Sequence, residues 1–223
     1  TLMKISFHRP RPYWLSDQVR VGGHLGDFSF PSGHAQNGIS IWGYLAFTLR
    51  KSWAWAGAAA VIFLIGMSRL YLGVHFPIDV AVGWLVGGLV VAAFIRYQKP
   101  AGAWLKKQSP GIQIALIAGI IVLLLLAGII LQQRLANWPI PAGWIEKAGE
   151  DISSVGMENL TTIAGIFLGL GSGAALLESR GKFTTQGTIL QKIFRYLVGL
   201  IGVAVLWAGL DALFPDGATL AAL

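Results

Sequence analysis

The sequence predicts an all-α, polytopic transmembrane helical bundle with about six spans in this chain. Three observations carry that expectation. Hydrophobic residues make up 55% of the chain and the mean hydropathy is +0.64. Charged residues make up only 12%, about half the ~25% of a soluble domain. The apolar residues gather in segments near the ~20 residues that cross a bilayer, with lysines and arginines in the short loops between them.

Residues 1–34 are polar, aromatic and rich in Gly and Pro, and read as a loop with one helical turn. The first apolar segment runs from Ala35 to Leu49, the second from Trp53 to Leu72, and the third from Ile78 to Ile95. The fourth, Gly111 to Leu131, is almost pure Ile, Leu, Ala and Gly. The fifth is Leu160 to Leu177 and the sixth Ile193 to Phe214. The first is short and starts at the Pro31–His34 turn. The loop from Gln132 to Asn159 carries Trp138, Trp144, Glu146, Glu150 and Asp151, and reads as an interfacial segment anchored by tryptophan, with a lid over a site as the sharper alternative. Gly165, Gly169 and Gly173 recur every four residues on the fifth segment, a spacing that lets helices approach closely in lipid. The chain begins at Thr1, three residues before its first motif, and further amino-terminal helices are expected to precede it.

The net charge is +7, yet no basic face or stripe is visible, so nucleic acid is not an expected partner. The absence of cysteine excludes disulfides, thiolate catalysis and thiolate metal sites. Arg50 and Lys51, then Arg96, Lys99, Lys106 and Lys107, then Arg180, Lys182, Lys192 and Arg195 fall in three alternate loops. The positive-inside rule makes those loops cytoplasmic. Nine of the ten acidic residues and all four histidines then face the other side.

Three polar clusters fall at that opposite face: Lys4-x6-Arg11-Pro12, Pro31-Ser32-Gly33-His34 and Ser68-Arg69-x5-His75-x3-Asp79. Ionisable residues are costly near lipid, which marks them as functional candidates. His75 and Asp79 are four apart, a spacing that puts both on one face of a helix. The carboxylate can hold the proton of one ring nitrogen and leave the other free to attack. His34 can donate a proton to a leaving oxygen. Gly33 permits close approach of the backbone to a ligand, while Ser32 before an apolar run also reads as a simple N-cap. Lys4, Arg11 and Arg69 supply charge for phosphate oxygens. A metal site is the rival use of His and Asp, but the neighbouring cations repel a metal ion and no carboxylates group with the histidines.

These residues, in this order and spacing, resemble the three-part signature of the type-2 phosphatidic acid phosphatase superfamily. The likeness covers residues 4–79, with family-like helices to about residue 97. It implies a bacterial membrane lipid phosphatase similar to phosphatidylglycerophosphate and undecaprenyl pyrophosphate phosphatases. By that resemblance His75 is the nucleophile and forms a phosphohistidine, Asp79 orients it, and His34 protonates the leaving group and later activates water. Lys4, Arg11, Ser32, Gly33 and Arg69 hold the phosphate, and no cofactor or metal is required. The expected division is a phosphatase core, residues 1–97, and an additional membrane module of about three spans, residues 98–223. The expected location is the cytoplasmic membrane, with the site facing the periplasm or cell exterior and a lipid phosphate as partner. A lipid phosphotransferase and a non-catalytic lipid-binding or transport protein are the alternatives. His8, Arg9, Arg20, His24 and Asp27 lie near the motifs but outside them, as candidates to shape substrate choice or to line the loop.

Overall fold

Prolines and glycines break the start of the chain into short pieces. The computed structural model describes residues 2–19, 22–23, 25–136, 138–149, 152, 155–181 and 185–213. Arg20, His24, Glu150, Asp151 and Lys182, singled out in the sequence, lie outside the described residues. Two short helices, α1 (Leu2–Phe7) and α2 (Pro12–Leu15), open the chain. Proline suits the first turn of α2 because its missing N–H has no helical partner there. The loop that follows is pinned by Tyr13, whose hydroxyl donates to the Leu25 carbonyl at 3.1 Å and accepts from the Leu25 N–H at 2.8 Å.

Ser32 starts the next helix as its N-cap, its hydroxyl accepting from the Ala35 N–H at 3.4 Å. This helix is composite: α3 (Gly33–Gly38), a π-helical turn (Ile39–Gly43) and α4 (Tyr44–Leu49). At ~1.5 Å per residue it falls short of the ~30 Å hydrocarbon thickness. Arg50, with φ 53°, takes the left-handed conformation that stops it. Then come α5 (Ser52–Tyr71), α6 (Pro77–Leu105), α7 (Pro110–Ala136), the short α8 (Ala142–Ala148), α9 (Val155–Ser179) and α10 (Ile189–Leu213). The five long helices among these are long and apolar enough to cross a membrane. No strand occurs among the described residues, and the protein is a multi-pass helical membrane protein. The expected first span is therefore present as the shorter, π-bulged α3–α4. α6 runs ten residues past the apolar stretch that ends at Ile95, because Arg96 to Leu105 continues in helical conformation around an internal Pro100.

The chain divides into two compact units, Thr1–Leu176 and Leu177–Leu223. In the first, the main apolar core lies at the helix ends rather than between the spans. Ile5, Tyr13, Trp14, Phe28, Val74 and Leu135 are buried in it. Ala148 and Ile152, from the loop between α7 and α9, complete it, and Trp138 and Trp144 pack against it. The two tryptophans expected as interfacial anchors thus join an aromatic cluster. Trp138 stacks on His8 at 4.8 Å, and Trp144 lies 6.0 Å from Trp14. An exposed ion pair, Lys147 to Asp17 at 2.7 Å, links α8 to the loop after α2.

Within the spans small residues do the packing, since burial in protein gains little over burial in hydrocarbon. α3 lies on α6 where α6 carries glycine. A Cβ on Gly83 would come within 2.6 Å of the Ser32 carbonyl oxygen, and one on Gly87 within 2.5 Å of the Gln36 carbonyl oxygen. Among the described residues, a Cβ on any of the glycines expected to pack, Gly165, Gly169 and Gly173, would meet nothing within 4 Å. Gly171, on another face of α9, touches Ile117 instead. Spacing alone does not reveal which face of a glycine-rich helix meets a neighbour.

Candidate active site

The Gly83 and Gly87 contacts seat the start of α3 against the start of α6. The Ser32 N–H donates to the Asp79 carbonyl at 2.9 Å, tying the second motif to the third. The first motif is tied in by Arg11, which is 1% exposed. Its Nη1 donates to the Val74 carbonyl and its Nε to the Asp27 carbonyl, both at 2.8 Å. The Ser29 N–H donates to the Arg9 carbonyl at 2.9 Å, holding the loop before Ser32 along the first motif.

α5 ends near Tyr71, and Gly73 turns the chain at φ 67°, a left-handed value that favours glycine. Val74 and His75 follow, and α6 starts at Pro77 with Phe76 as N-cap. His75 therefore precedes the helix rather than sharing its face with Asp79, because proline takes the first helical position. The two side chains still meet, by folding back over the helix start. His75 Nδ1 lies 3.7 Å from Asp79 Oδ2, an ion-pair contact longer than a hydrogen bond. The same carboxylate accepts from the Phe76 N–H at 2.9 Å, which fixes its rotamer and places negative charge at a helix N-terminus. Both side chains are buried. Burial lowers the His75 pKa below its ordinary 6.5; Asp79 opposes this, and Arg11 and Lys4 reinforce it.

Arg9 stands outside the three motifs in sequence but reaches the third in space. Its guanidinium lies 3.5 Å from Asp79 Oδ1 and within 6 Å of the rings of Phe30 and Phe76. Cation–π contact of this kind holds the planar fork in place. The buried Ser29 hydroxyl also faces Asp79, outside strict hydrogen-bond geometry.

The cations have a counter-charge that motif spacing does not reveal. Asp27 receives Lys4 Nζ at 2.6 Å on Oδ2 and Arg11 Nη2 on Oδ1. Burial pushes the Asp27 carboxyl up, but Lys4 and Arg11 outweigh it and hold the group below its ordinary 3.8. Burial lowers the Lys4 ammonium below 10.5 despite Asp27 beside it. The available signal was chemical: of the two carboxylates between the first two motifs, Asp17 and Asp27, the second lies nearer His34. Arg69 is half-buried, its Nε donating to Ser68 Oγ at 3.2 Å. His34 is exposed at the start of α3 and feels the charges of Arg69, Lys4, Arg11 and Asp27. Its pKa falls below 6.5, through burial first and those three cations second. Among the described residues, a Cβ on Gly33 would meet no atom within 4 Å, which leaves room there for a ligand to approach the backbone.

Lys4, Arg11, Gly33, His34, Arg69, His75 and Asp79 thus gather at one end of the first unit, with Ser32 capping the helix among them. Such a set can bind an anion of several oxygens and present it to an imidazole whose other nitrogen faces a carboxylate. Among the described residues, no three metal-ligating side chains converge.

The chain is similar over part of its length to curated proteins of known name. It is 35% identical over 81 residues to an undecaprenyl-diphosphatase of Sulfolobus acidocaldarius, covering 36% of this chain and 38% of that protein. It is 37% identical over 76 residues to phosphatidylglycerophosphatase B of Bacillus subtilis, covering 30% and 37%. It is 36% identical over 76 residues to a lipid A 4'-phosphatase of Bacteroides thetaiotaomicron, covering 33% and 34%. The matched region therefore spans little more than a third of each of these relatives. No solved structure matches the chain to significance. Residues 1–103 match the PAP2 superfamily and residues 161–223 match the PAP2 superfamily phosphatase transmembrane extension, so the chain belongs to the PAP2 superfamily, the type-2 phosphatidic acid phosphatases of the motif resemblance.

Proposed function

We propose that this chain is a metal-independent membrane phosphatase that hydrolyses a lipid phosphate or pyrophosphate through a phosphohistidine on His75. The observation that carries this reading is the His75–Asp79 contact of 3.7 Å, set among Lys4, Arg11, Arg69 and His34. Asp79 faces Nδ1, so Nδ1 keeps its proton and Nε2 holds the lone pair that attacks phosphorus. The P–O bond to the leaving group breaks as the P–N bond forms. His34 gives its proton to the leaving oxygen, then takes one from water as that water breaks the P–N bond and releases inorganic phosphate. Lys4, Arg11 and Arg69, with the N–H groups at the start of α3, balance charge on the equatorial oxygens. The named activities of the similar proteins, all phosphatases of lipid substrates, support the substrate class.

The expected seat is the cytoplasmic membrane, with the site at the periplasmic or external face. The supporting observation is that Arg50, Lys51, Lys106 and Lys107 lie at or beyond the ends of α4, α5 and α6 remote from the site, with Arg96 and Lys99 in the last ten residues of α6. Residues 98–223, proposed from the sequence as an added membrane module, place the α7–α9 loop against the first motif.

The test is phosphate release by purified protein from phosphatidate, phosphatidylglycerol phosphate and undecaprenyl pyrophosphate, in EDTA. An acid-labile phosphoenzyme is expected from wild type and none from His75→Ala. Vanadate inhibits, and chelation does not. Turnover by a folded His75→Ala protein, or activity lost to EDTA and restored by a divalent ion, overturns the reading. Transfer of phosphate to an added alcohol in preference to water would identify a phosphotransferase.

A further inference from the structure

A cavity of about 260 Å³ opens beside the phosphate-binding residues, and its lining comes from three separate elements. Leu2 and Lys4 of α1, Gly33 and Gln36 of α3, and Leu160 and Ile163 of α9 all border it. Lys4 and Gly33 belong to the phosphate set, so the cavity borders the site. Ile163 comes from the beginning of the transmembrane extension, and Leu160 from the residue before it; motif chemistry gives this helix no task. We propose that this cavity is the subsite for the hydrocarbon next to the substrate's phosphate, and that α9 supplies its wall. The proposal rests on the phosphatase reading of the same site.

The lining decides the class of occupant. A phosphorylated sugar or other water-soluble ester needs hydroxyl and amide partners along its length, because an unpaired polar group away from water is costly. Here the residues beyond Lys4 and Gln36 are leucine, methionine, proline and isoleucine, with the backbone of Gly33. They suit methylene and methyl groups, which gain simply by leaving water. The volume decides how much of the lipid enters. It holds on the order of nine water volumes at ~30 Å³ each, less than the ~300 Å³ at which pockets begin to enclose a whole drug-sized ligand. A phosphate-proximal segment fits, and the rest of the chain must leave toward the bilayer. The way out follows from helical spacing: Leu160 and Ile163, which line the cavity, and Phe167 beyond them fall at i, i+3 and i+7 on one face of α9. Ile163 is 54% and Phe167 58% exposed, so that face carries the apolar track out of the cavity.

The two α9 residues differ in how they can be tested. Leu160 is 6% exposed and is held against α7, where a Cβ on Gly128 would collide with its Cδ2. Replacing it risks the fold. Ile163 is 54% exposed and is the residue to vary.

The experiment measures KM and kcat for wild type, Ile163→Ala, Ile163→Trp and Ile163→Leu in mixed micelles. The substrates are farnesyl phosphate, whose hydrocarbon begins at the phosphate oxygen, the five-carbon isopentenyl phosphate, and glycerol 3-phosphate, which offers hydroxyls instead of hydrocarbon at that place. Ile163→Ala is expected to raise KM for farnesyl phosphate about fivefold, because the truncated side chain covers less of the lipid's apolar surface. Ile163→Trp, which fills the cavity, raises it by more, and Ile163→Leu retains the wild-type value. For Ile163→Ala, kcat for farnesyl phosphate and the whole rate on glycerol 3-phosphate stay unchanged. If Ile163 touches only bulk lipid, the ratio of KM for farnesyl phosphate to KM for glycerol 3-phosphate does not move, and the subsite assignment is overturned while the phosphatase reading stands. A uniform fall on all three substrates also overturns it, as damage to the fold. Absence of turnover by wild type on any phosphate ester removes both.

Discussion

Asp27→Asn tests whether the paired cations of the first motif are held by one carboxylate. The change keeps the shape of the side chain and removes its charge. Arg11, 1% exposed, retains its 2.8 Å hydrogen bonds to the Asp27 and Val74 carbonyls but loses its counter-ion. Lys4, with its side chain 14% exposed, loses a 2.6 Å partner. Removing one member of a buried pair costs about 3–5 kcal/mol, because the other charge stays behind without compensation. The partial exposure of Lys4 and Asp27 and the surviving backbone hydrogen bonds place the loss near the lower end, about 3 kcal/mol. For a chain of this length that corresponds to a fall in Tm of roughly 6–12 °C. The assay is thermal unfolding in detergent, with Asp17→Asn alongside. Asp17 also pairs with a lysine, at 2.7 Å, but its side chain is 88% exposed, so its loss is expected to move Tm by no more than about 2 °C. Equal shifts for the two variants would refute the claim that Asp27 neutralises a buried pair. The pH dependence follows with a defined sign. Asp27 sits below its ordinary 3.8 in the folded protein, so its stabilisation is complete above about pH 4 and is lost as pH falls through the lower folded value. Asp27→Asn removes that acid-side loss, which a Tm series from pH 5 downward detects.

His75 is held below 6.5, and the proposed attack needs its neutral form, so the acid limb of kcat/KM is expected below pH 6.5. A limb at or above that value would contradict the burial argument. Arg9→Gln is expected to lower kcat about tenfold with KM nearly unchanged, since Arg9 reaches Asp79 and not the proposed phosphate; Arg9→Lys should not restore it, because lysine lacks the planar fork that lies over Phe30 and Phe76. Gly83→Ala is expected to lose about 1–3 kcal/mol from overpacking against the Ser32 carbonyl and to reduce kcat through His34, whereas Gly165→Ala should be neutral; equal Tm values for the two would remove the close approach as a cause. For sidedness, Ala142→Cys in α8 should react with a membrane-impermeant thiol reagent in intact cells (after outer-membrane permeabilisation if there is one), and Ser109→Cys before α7 should not. Both positions are exposed and the chain has no native cysteine, so the reverse pattern would place the site in the cytoplasm.

The long helices were legible because lipid imposes a length and an apolar composition on whatever crosses it, and α5, α6, α7, α9 and α10 satisfy both. The motif residues were legible because ionisable groups are few in such a chain. What the sequence hid falls into two physical kinds. One is contact specificity among small residues. Gly83 and Gly87 are the glycines that bring the Ser32–Gln36 backbone against α6, yet the i, i+4 spacing of Gly165, Gly169 and Gly173 carries the same pattern and meets nothing. The pattern records that a face could pack, and only the fold decides whether it does. The other is charge balance at a distance. Lys4 and Arg11 are spaced to suit a phosphate, and nothing local to them announces that Asp27, sixteen residues beyond Arg11, pairs with both. A site built for an anion must remain folded when the anion leaves, and two buried cations side by side would repel each other then. An internal carboxylate solves that problem, but it also competes for the same donors. Lys4 and Arg11 must therefore either share their donors between Asp27 and a bound phosphate or release the carboxylate when phosphate arrives. The two routes differ measurably. If Asp27 is released, Asp27→Asn should tighten inhibition by inorganic phosphate about tenfold, the worth of a charge-assisted hydrogen bond no longer broken on binding. If the donors are shared, inhibition should be nearly unchanged while stability still falls. Arg11 already spends Nε and Nη1 on the backbone carbonyls of Asp27 and Val74, which leaves it few N–H groups to share. The geometry therefore favours release, and weaker phosphate inhibition in Asp27→Asn would refute it.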